Sequence, residues 1–189
     1  MGPEEKRDIE QAMARSFKEL LKKEPFEKIT IKKITDGAGV IRVTFYNHFQ
    51  DKNDLLSWIV RREILDPARV LISNDLYKEA ILLIFTGILR DGDFYRRAVR
   101  IEGQNSFREI STQCIYQLVL EFFETHAARG KKPASPWMTT EYLAQYYAQS
   151  LNYVLIRWIE SDYAVSPEEV TRIYEFIMTH SMWDVLEEI

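Results

Sequence analysis

The stretch KITIKKITDGAGVIRVTFYNHFQDKNDLL, residues 28–56, decides how the rest of the chain is read. It holds two short helical patterns separated by a tight turn. Ile31, Ile34 and Ala38 form the apolar side of the first pattern, and Gly39 stands where a turn between helices needs left-handed backbone. The second pattern runs from about Ile41 to Phe49, with Phe45 and Phe49 on one face at i, i+4 spacing. Its other face carries Arg42, Val43, Thr44, Tyr46, Asn47 and His48. A merely solvated helix has little use for this mixture of aromatic, hydroxyl, amide and imidazole groups. A helix lying in the DNA major groove uses them against phosphates and base edges.

The run GV-x3-TFY-x-HF-x2-K-x2-LL over residues 39–56 makes a resemblance specific. The stretch resembles the N-terminal DNA-binding domain of the TetR family of bacterial transcription regulators. Ile34, Ala38, Gly39, Val40, Thr44, Phe45, Tyr46, His48, Phe49, Lys52, Leu55 and Leu56 stand where that family's pattern places them. The resemblance implies an all-α chain: a three-helix, helix-turn-helix DNA-binding head over 1–50, and a connecting helix leading into an α-helical regulatory and dimerisation body over 51–189. It implies that Thr44, Tyr46, His48 and Lys52 meet phosphate oxygens, and that Lys32 and Lys33, beside Thr30, face the edge of the groove. By side-chain chemistry, Arg42 can fork onto guanine, Val43 can pack on a thymine methyl, and Asn47 can read adenine or reach a phosphate. One position departs from the family pattern. Ile41 replaces the usual serine-like cap, and a side-chain cap contributes ~1 kcal/mol. The helix start therefore either frays or is held by packing of Ile41.

The charge distribution agrees with a small basic head on an acidic body. The chain of 189 residues carries a net charge of −4. Residues 1–62 hold 13 Lys and Arg against 10 Asp and Glu, the remainder 12 against 19, and residues 28–52 five against two. At 46% apolar and 13% aromatic the chain can bury a substantial core. The single cysteine, Cys114, excludes an intrachain disulfide framework or a cysteine zinc site. The opening residues MGPEEKRDIEQ lack the apolar run of a signal peptide, and no stretch approaches a membrane span. A cytoplasmic protein without cofactor or metal is the expectation. Catalysis finds no support: His48, His126 and His180 share no metal spacing, and there is no phosphate loop, G-x-S-x-G or H-E-x-x-H.

Along the chain, the spacing of Ile9, Ala12, Met13, Phe17, Leu20 and Leu21 predicts a helix from about Glu5 to Lys23, ended by Pro25. Thr30 is placed to cap the next helix, and Asp51 to cap a fourth that runs toward Pro67. In the body, Asn74 or Asp75 is expected to cap a helix broken by Asp91–Asp93, Ser106 to open a long helix, residues 130–136 to form a loop, and Thr139 or Thr140 to start the next helix. Ser166-Pro167-Glu168-Glu169 opens a last helix that continues to Leu186. No repeat and no sustained strand alternation occur.

The resemblance implies a homodimer through the last two helices, where Leu151, Leu155, Trp158, Ile173, Ile177 and Met178 are the candidate contacts. Two heads on a two-fold axis then read half-sites roughly 34–36 Å apart on a double-stranded operator. It also implies a small apolar or aromatic effector inside the body, for which Phe85, Phe94, Tyr95, Tyr116, Phe122, Tyr146 and Tyr153 are candidate lining residues. The body is similar, too, to family members that answer to a partner protein, such as activators of dihydroxyacetone kinase operons. A reading of another class is an adaptor whose main task is protein binding, with DNA as scaffold.

Overall fold

The computed structural model describes residues 3–126 and 135–187, and the described residues form helices with no strand. The loop expected over 130–136 falls mostly, at 130–134, outside the described residues. Helix α1, Pro3–Lys23, opens with Glu4 and Glu5 and closes with Lys22 and Lys23, so both ends complement its dipole. Its inner face buries Met13, Ala14, Phe17 and Leu21. After Pro25 a single 3-10 turn, Phe26–Lys28, leads to α2, Ile31–Ala38. Thr30 caps α2, its hydroxyl accepting from Lys33 N at 3.3 Å. Gly39 ends it at φ 69°, the left-handed conformation that an L side chain would strain. Helix α3, Arg42–Tyr46, has only five residues. Helix α4, Lys52–Ile59, is capped by Asp51, which accepts from the amides of Asn53 and Asp54 at 2.7 and 2.8 Å.

The connecting helix does not stop near Pro67, as the sequence suggested. It widens into a π turn at Val60–Leu65 and continues as α5, Asp66–Ile72. Pro67 thereby falls in the first turn of α5, where its missing N–H costs little. The body follows as α6 Tyr77–Arg90, α7 Gly92–Ala98, α8 Phe107–His126, α9 Thr140–Glu160, α10 Pro167–Thr179 and α11 Met182–Leu186. Neither Asn74 nor Asp75 caps α6. Leu76 holds that position, and Asp75, at φ 60°, instead accepts from the Tyr77 hydroxyl at 2.6 Å. The last helix is broken near His180, because Ser181 and Asp184 form a reciprocal capping box that starts α11. Between α8 and α9, buried Asn152 accepts from Ser111 Oγ at 2.7 Å and donates to Thr112 Oγ1 at 2.7 Å, so that its burial leaves no polar atom stranded.

Head and body share one hydrophobic core. Phe17 of α1 makes edge-on contacts with Phe26 and with Phe94 of α7, both at 6.2 Å between ring centroids. Beside this contact Lys18 Nζ lies 2.7 Å from Glu63 and 3.0 Å from Asp91, and Lys22 Nζ lies 3.0 Å from Asp91. Burial alone would raise the Asp91 pKa, but the two ammonium groups outweigh it and hold the carboxyl below its ordinary value. A carboxyl depressed in the folded state stabilises above its unfolded pKa, and the stabilisation is lost as pH falls through the folded value. Between pH 7 and pH 3, wild type is therefore expected to lose about 1 kcal/mol more than Asp91→Asn, between the values for exposed and buried pairs. Urea midpoints measured across that range check it, and parallel curves for the two proteins would contradict it.

Candidate nucleic-acid interface

Helix α3 is too short to hold its own shape in water. It is held from beneath by Phe45 and Phe49, both buried, whose rings lie 5.6 Å apart, with Trp58 edge-on to Phe49 at 6.0 Å. This anchoring turns Arg42, Val43, Tyr46 and Asn47 outward and leaves Thr44 half-buried. Arg42 lies over the Tyr46 ring at 5.5 Å and donates to its hydroxyl at 3.1 Å. One of the guanidinium's five N–H donors is used there, so the fork for a base edge or phosphate survives.

Ile41 is 70% exposed and forms no cap, so packing does not fix the helix start. Val43 is 64% exposed, so two apolar side chains stand open to solvent at the start of the recognition helix. Such a pair suits thymine methyl groups. The expectation weighed fraying against packing of Ile41; the signal for an outward-facing role was an apolar residue at the start of a helix of only five residues.

The flanking cations are present but engaged. Lys32 pairs with Asp36 at 2.5 Å on the open surface. Lys33 Nζ is held by the Glu24 carboxylate at 2.7 and 2.9 Å and by the Lys28 carbonyl at 3.0 Å. Exposed pairs of this kind are weak and yield readily to phosphate. Thr30, the α2 cap, is exposed beside them. Lys52 is half-buried, donates to the Phe26 and Ile29 carbonyls at 2.6 and 3.2 Å, and stands 4.0 Å above the Phe26 ring. Burial lowers its pKa, although Glu27 and Asp51 oppose that. Two of its three N–H donors brace α4 against residues 26–29, which leaves one for a phosphate.

His48 departs from the expectation. Its side chain is 1% exposed, and Nδ1 lies 3.1 Å from Glu10 Oε1 of α1. It is not on the outer row. Just past the end of α3 the chain has turned, and that turn carries the imidazole to Glu10 of α1.

The body corrects both of its candidate residue sets. Phe85, Phe94 and Tyr95 are fully buried core, packed on Trp158, Phe17 and Phe107 respectively. Tyr116 is half-buried against the core, while Tyr146 and Tyr153 point outward, 58% and 62% exposed. Only Phe122 of that set lines the apolar cavity, which measures about 400 Å³ and lies between α6, α8, α9 and α10. Ile84, Leu118, Tyr147, Tyr174 and Met178 line it too, and no charged side chain among the described residues does. Burial pushes the Tyr174 hydroxyl up to about 12, so it is neutral there. Leu151, Leu155 and Trp158 are likewise interior to the single chain, and Trp158 donates from Nε1 to the Val165 carbonyl at 2.8 Å. Met178 is half-buried against the core; Ile173 and Ile177 remain exposed. On α9 Tyr142, Tyr146 and Tyr153 are exposed apolar residues, and on α10 Ile173 and Ile177. The two helices adjoin where Ser150 Oγ meets Met178 Sδ at 3.6 Å. Among the described residues no helix is long and apolar enough to cross a membrane.

Comparison with known proteins matches two segments to family models. Residues 18–58 match that of bacterial regulatory proteins, tetR family, and residues 75–180 match that of the transcriptional regulator C-terminal region. A segment of 93 residues is 30% identical to the HTH-type dhaKLM operon transcriptional activator DhaS of Lactococcus lactis subsp. lactis (strain IL1403), covering 48% of each chain. The match thus spans about half the length of that curated relative. Among solved structures, the dihydroxyacetone kinase operon activator DhaS superposes with a TM-score of 0.59 at 20% identity, over 89% of this chain and 93% of the other. NalD, the secondary repressor of the MexAB-OprM multidrug efflux pump in Pseudomonas aeruginosa, gives 0.57 at 17%, over 90% and 93%. The fatty acid degradation regulator FadR from Bacillus halodurans gives 0.57 at 16%, over 96% and 99%. At these identities the structural likeness speaks for the fold.

Proposed function

The chain belongs to the TetR family of bacterial transcriptional regulators, and from that premise we propose that it is a sequence-specific, non-enzymatic repressor that binds a palindromic operator as a homodimer in the cytoplasm. Residues 1–50 form the DNA-binding head and residues 51–189 the effector-binding and dimerisation body. The observation that carries this reading is the outer row of α3, with Arg42, Val43, Tyr46 and Asn47 open to solvent on a buried Phe45–Phe49 footing. Thr30, Lys32, Lys33, Thr44 and Lys52 add phosphate contacts around it, and Ile41 joins the base-reading group.

A small, neutral, apolar or aromatic effector in the cavity is favoured over a partner protein, because a body that answers only at its outer surface has no need of an uncharged hollow. Ligand there shifts the population toward a state whose heads no longer match the half-site spacing. The name of the Lactococcus relative favours a second reading, activation. The position of the operator decides between them: overlap with the promoter gives repression, a site upstream of it activation.

The test is anisotropy with duplexes selected from random DNA by the wild-type protein. Steep salt dependence and a large ratio of selected to random affinity are expected. Arg42→Ala is expected to cost ~1–3 kcal/mol at one base position and to relax preference there, while Tyr46→Ala weakens all duplexes alike. Equal losses on selected and random DNA for Arg42→Ala would overturn the assigned roles. An adaptor that uses DNA only as scaffold would show no selected sequence at all.

A further inference from the structure

We propose that His48 is a positioning residue: it never touches DNA, and by its hydrogen bond to Glu10 it ties the turn after the recognition helix to α1 and so fixes how that helix is presented. The proposal rests on the DNA-binding reading above and concerns how that site is held.

Three observations carry it. The His48 side chain is 1% exposed, so no ring atom lies on the surface offered to phosphate. Nδ1 meets the Glu10 carboxylate at 3.1 Å, across 38 residues of sequence. Since a carboxylate only accepts, Nδ1 carries the proton in that bond. Nε2 is also buried and has no partner, so the ring has no second nitrogen directed outward.

The need for such a tether follows from α3 itself. Five residues and no side-chain cap leave its orientation to tertiary contacts. Phe45 and Phe49 supply a non-directional apolar pivot, about which a short helix can still roll. A directional hydrogen bond just past the helix end removes that freedom. The other end of the bond is on α1, the helix that also carries Phe17 against Phe94 and Lys18 and Lys22 against Asp91. Glu10 has a second, looser neighbour in Lys6, whose Nζ lies 3.9 Å from the same Oε1 oxygen.

The experiment compares His48→Ala, His48→Asn, Glu10→Ala and the His48→Ala/Glu10→Ala pair on a duplex selected by wild type, each titrated over salt. Loss of a hydrogen bond to a charged group is expected to reduce operator affinity about ten-fold or more in His48→Ala. Glu10→Ala is expected to match it, and the pair to add little beyond either single change. The slope of log affinity against log salt is expected to stay at the wild-type value in all four. His48→Asn, whose amide can still donate to Glu10, is expected to recover part of the loss. A slope that falls by ~0.9 for each head in His48→Ala, with Glu10→Ala unchanged, would identify a direct phosphate ligand and overturn the proposal. If His48→Ala does not fold, the pair Glu10→Gln and Glu10→Ala still decides: Glu10→Gln, which keeps an acceptor for Nδ1, is expected to retain affinity that Glu10→Ala loses, and equal affinities for the two would overturn the proposal. If wild type selects no DNA, the functional reading fails; the tether is then judged from thermal unfolding of the same four variants. Non-additive losses keep it and additive ones sink it.

Discussion

Phe17→Ala is expected to destabilise the protein by about 3–5 kcal/mol, the range for a fully buried phenylalanine in a core that cannot collapse around the void. Phe17 is fully buried between Phe26 and Phe94, and it is where the α1 side of the head meets α7 of the body. Against a total stability of about 5–15 kcal/mol for an ordinary domain, this is a large fraction. Urea unfolding should show the midpoint falling with little change in slope. Phe17→Leu, which keeps much of the volume, should lose roughly 1–1.5 kcal/mol. A loss below about 1 kcal/mol for the alanine variant would mean that head and body are joined mainly through the α4–α5 connection, and would remove α1 from any account of their coupling.

On the homodimer proposed above, Ile177→Glu is expected to leave a monomer and to lower affinity for a full palindrome by about 10²–10⁴-fold, the factor lost when two linked heads bind separately. Half-site affinity should be unchanged. The single chain should tolerate the substitution, because Ile177 is 49% exposed and buries nothing essential there. Ile173 of α10 and Tyr142, Tyr146 and Tyr153 of α9 are exposed as well. A carboxylate in the middle of an apolar interface between copies is left unpaired, and that cost falls on association alone. Sedimentation velocity separates the outcomes. If both Ile177→Glu and Tyr146→Glu leave the mass of a dimer, the face on α9 and α10 is not the interface.

Much of the architecture was legible because helix starts and stops are local. Thr30, Asp51, Thr139 and Ser166 each cap a helix through an amide two or three residues on, so residue type at fixed spacing suffices. The same locality explains Gly39 and the break at Asp91–Asp93. Where the reading failed locally, a neighbouring feature intervened. The π turn at Val60–Leu65 placed Pro67 in the first turn of the next helix, where its missing N–H is tolerated, and the Ser181–Asp184 box broke a helix whose apolar spacing ran on.

The sequence by itself determined the helical class, most boundaries, the buried Phe45–Phe49 footing of α3 and the exposure of Arg42, Val43, Tyr46 and Asn47 opposite it, since each depends mainly on spacing within a turn or two. Only the tertiary structure decided which way the remaining side chains faced. Phe85 and Tyr153, Leu155 and Ile177, or His48 and Asn47 look interchangeable along the chain, because helices with apolar residues on more than one face have no unique inside until their neighbours pack. Rotation about the helix axis is set by partners tens of residues away: Glu10 for His48, Trp158 for Phe85, and the meeting of α9 with α10 for the apolar face left open to solvent.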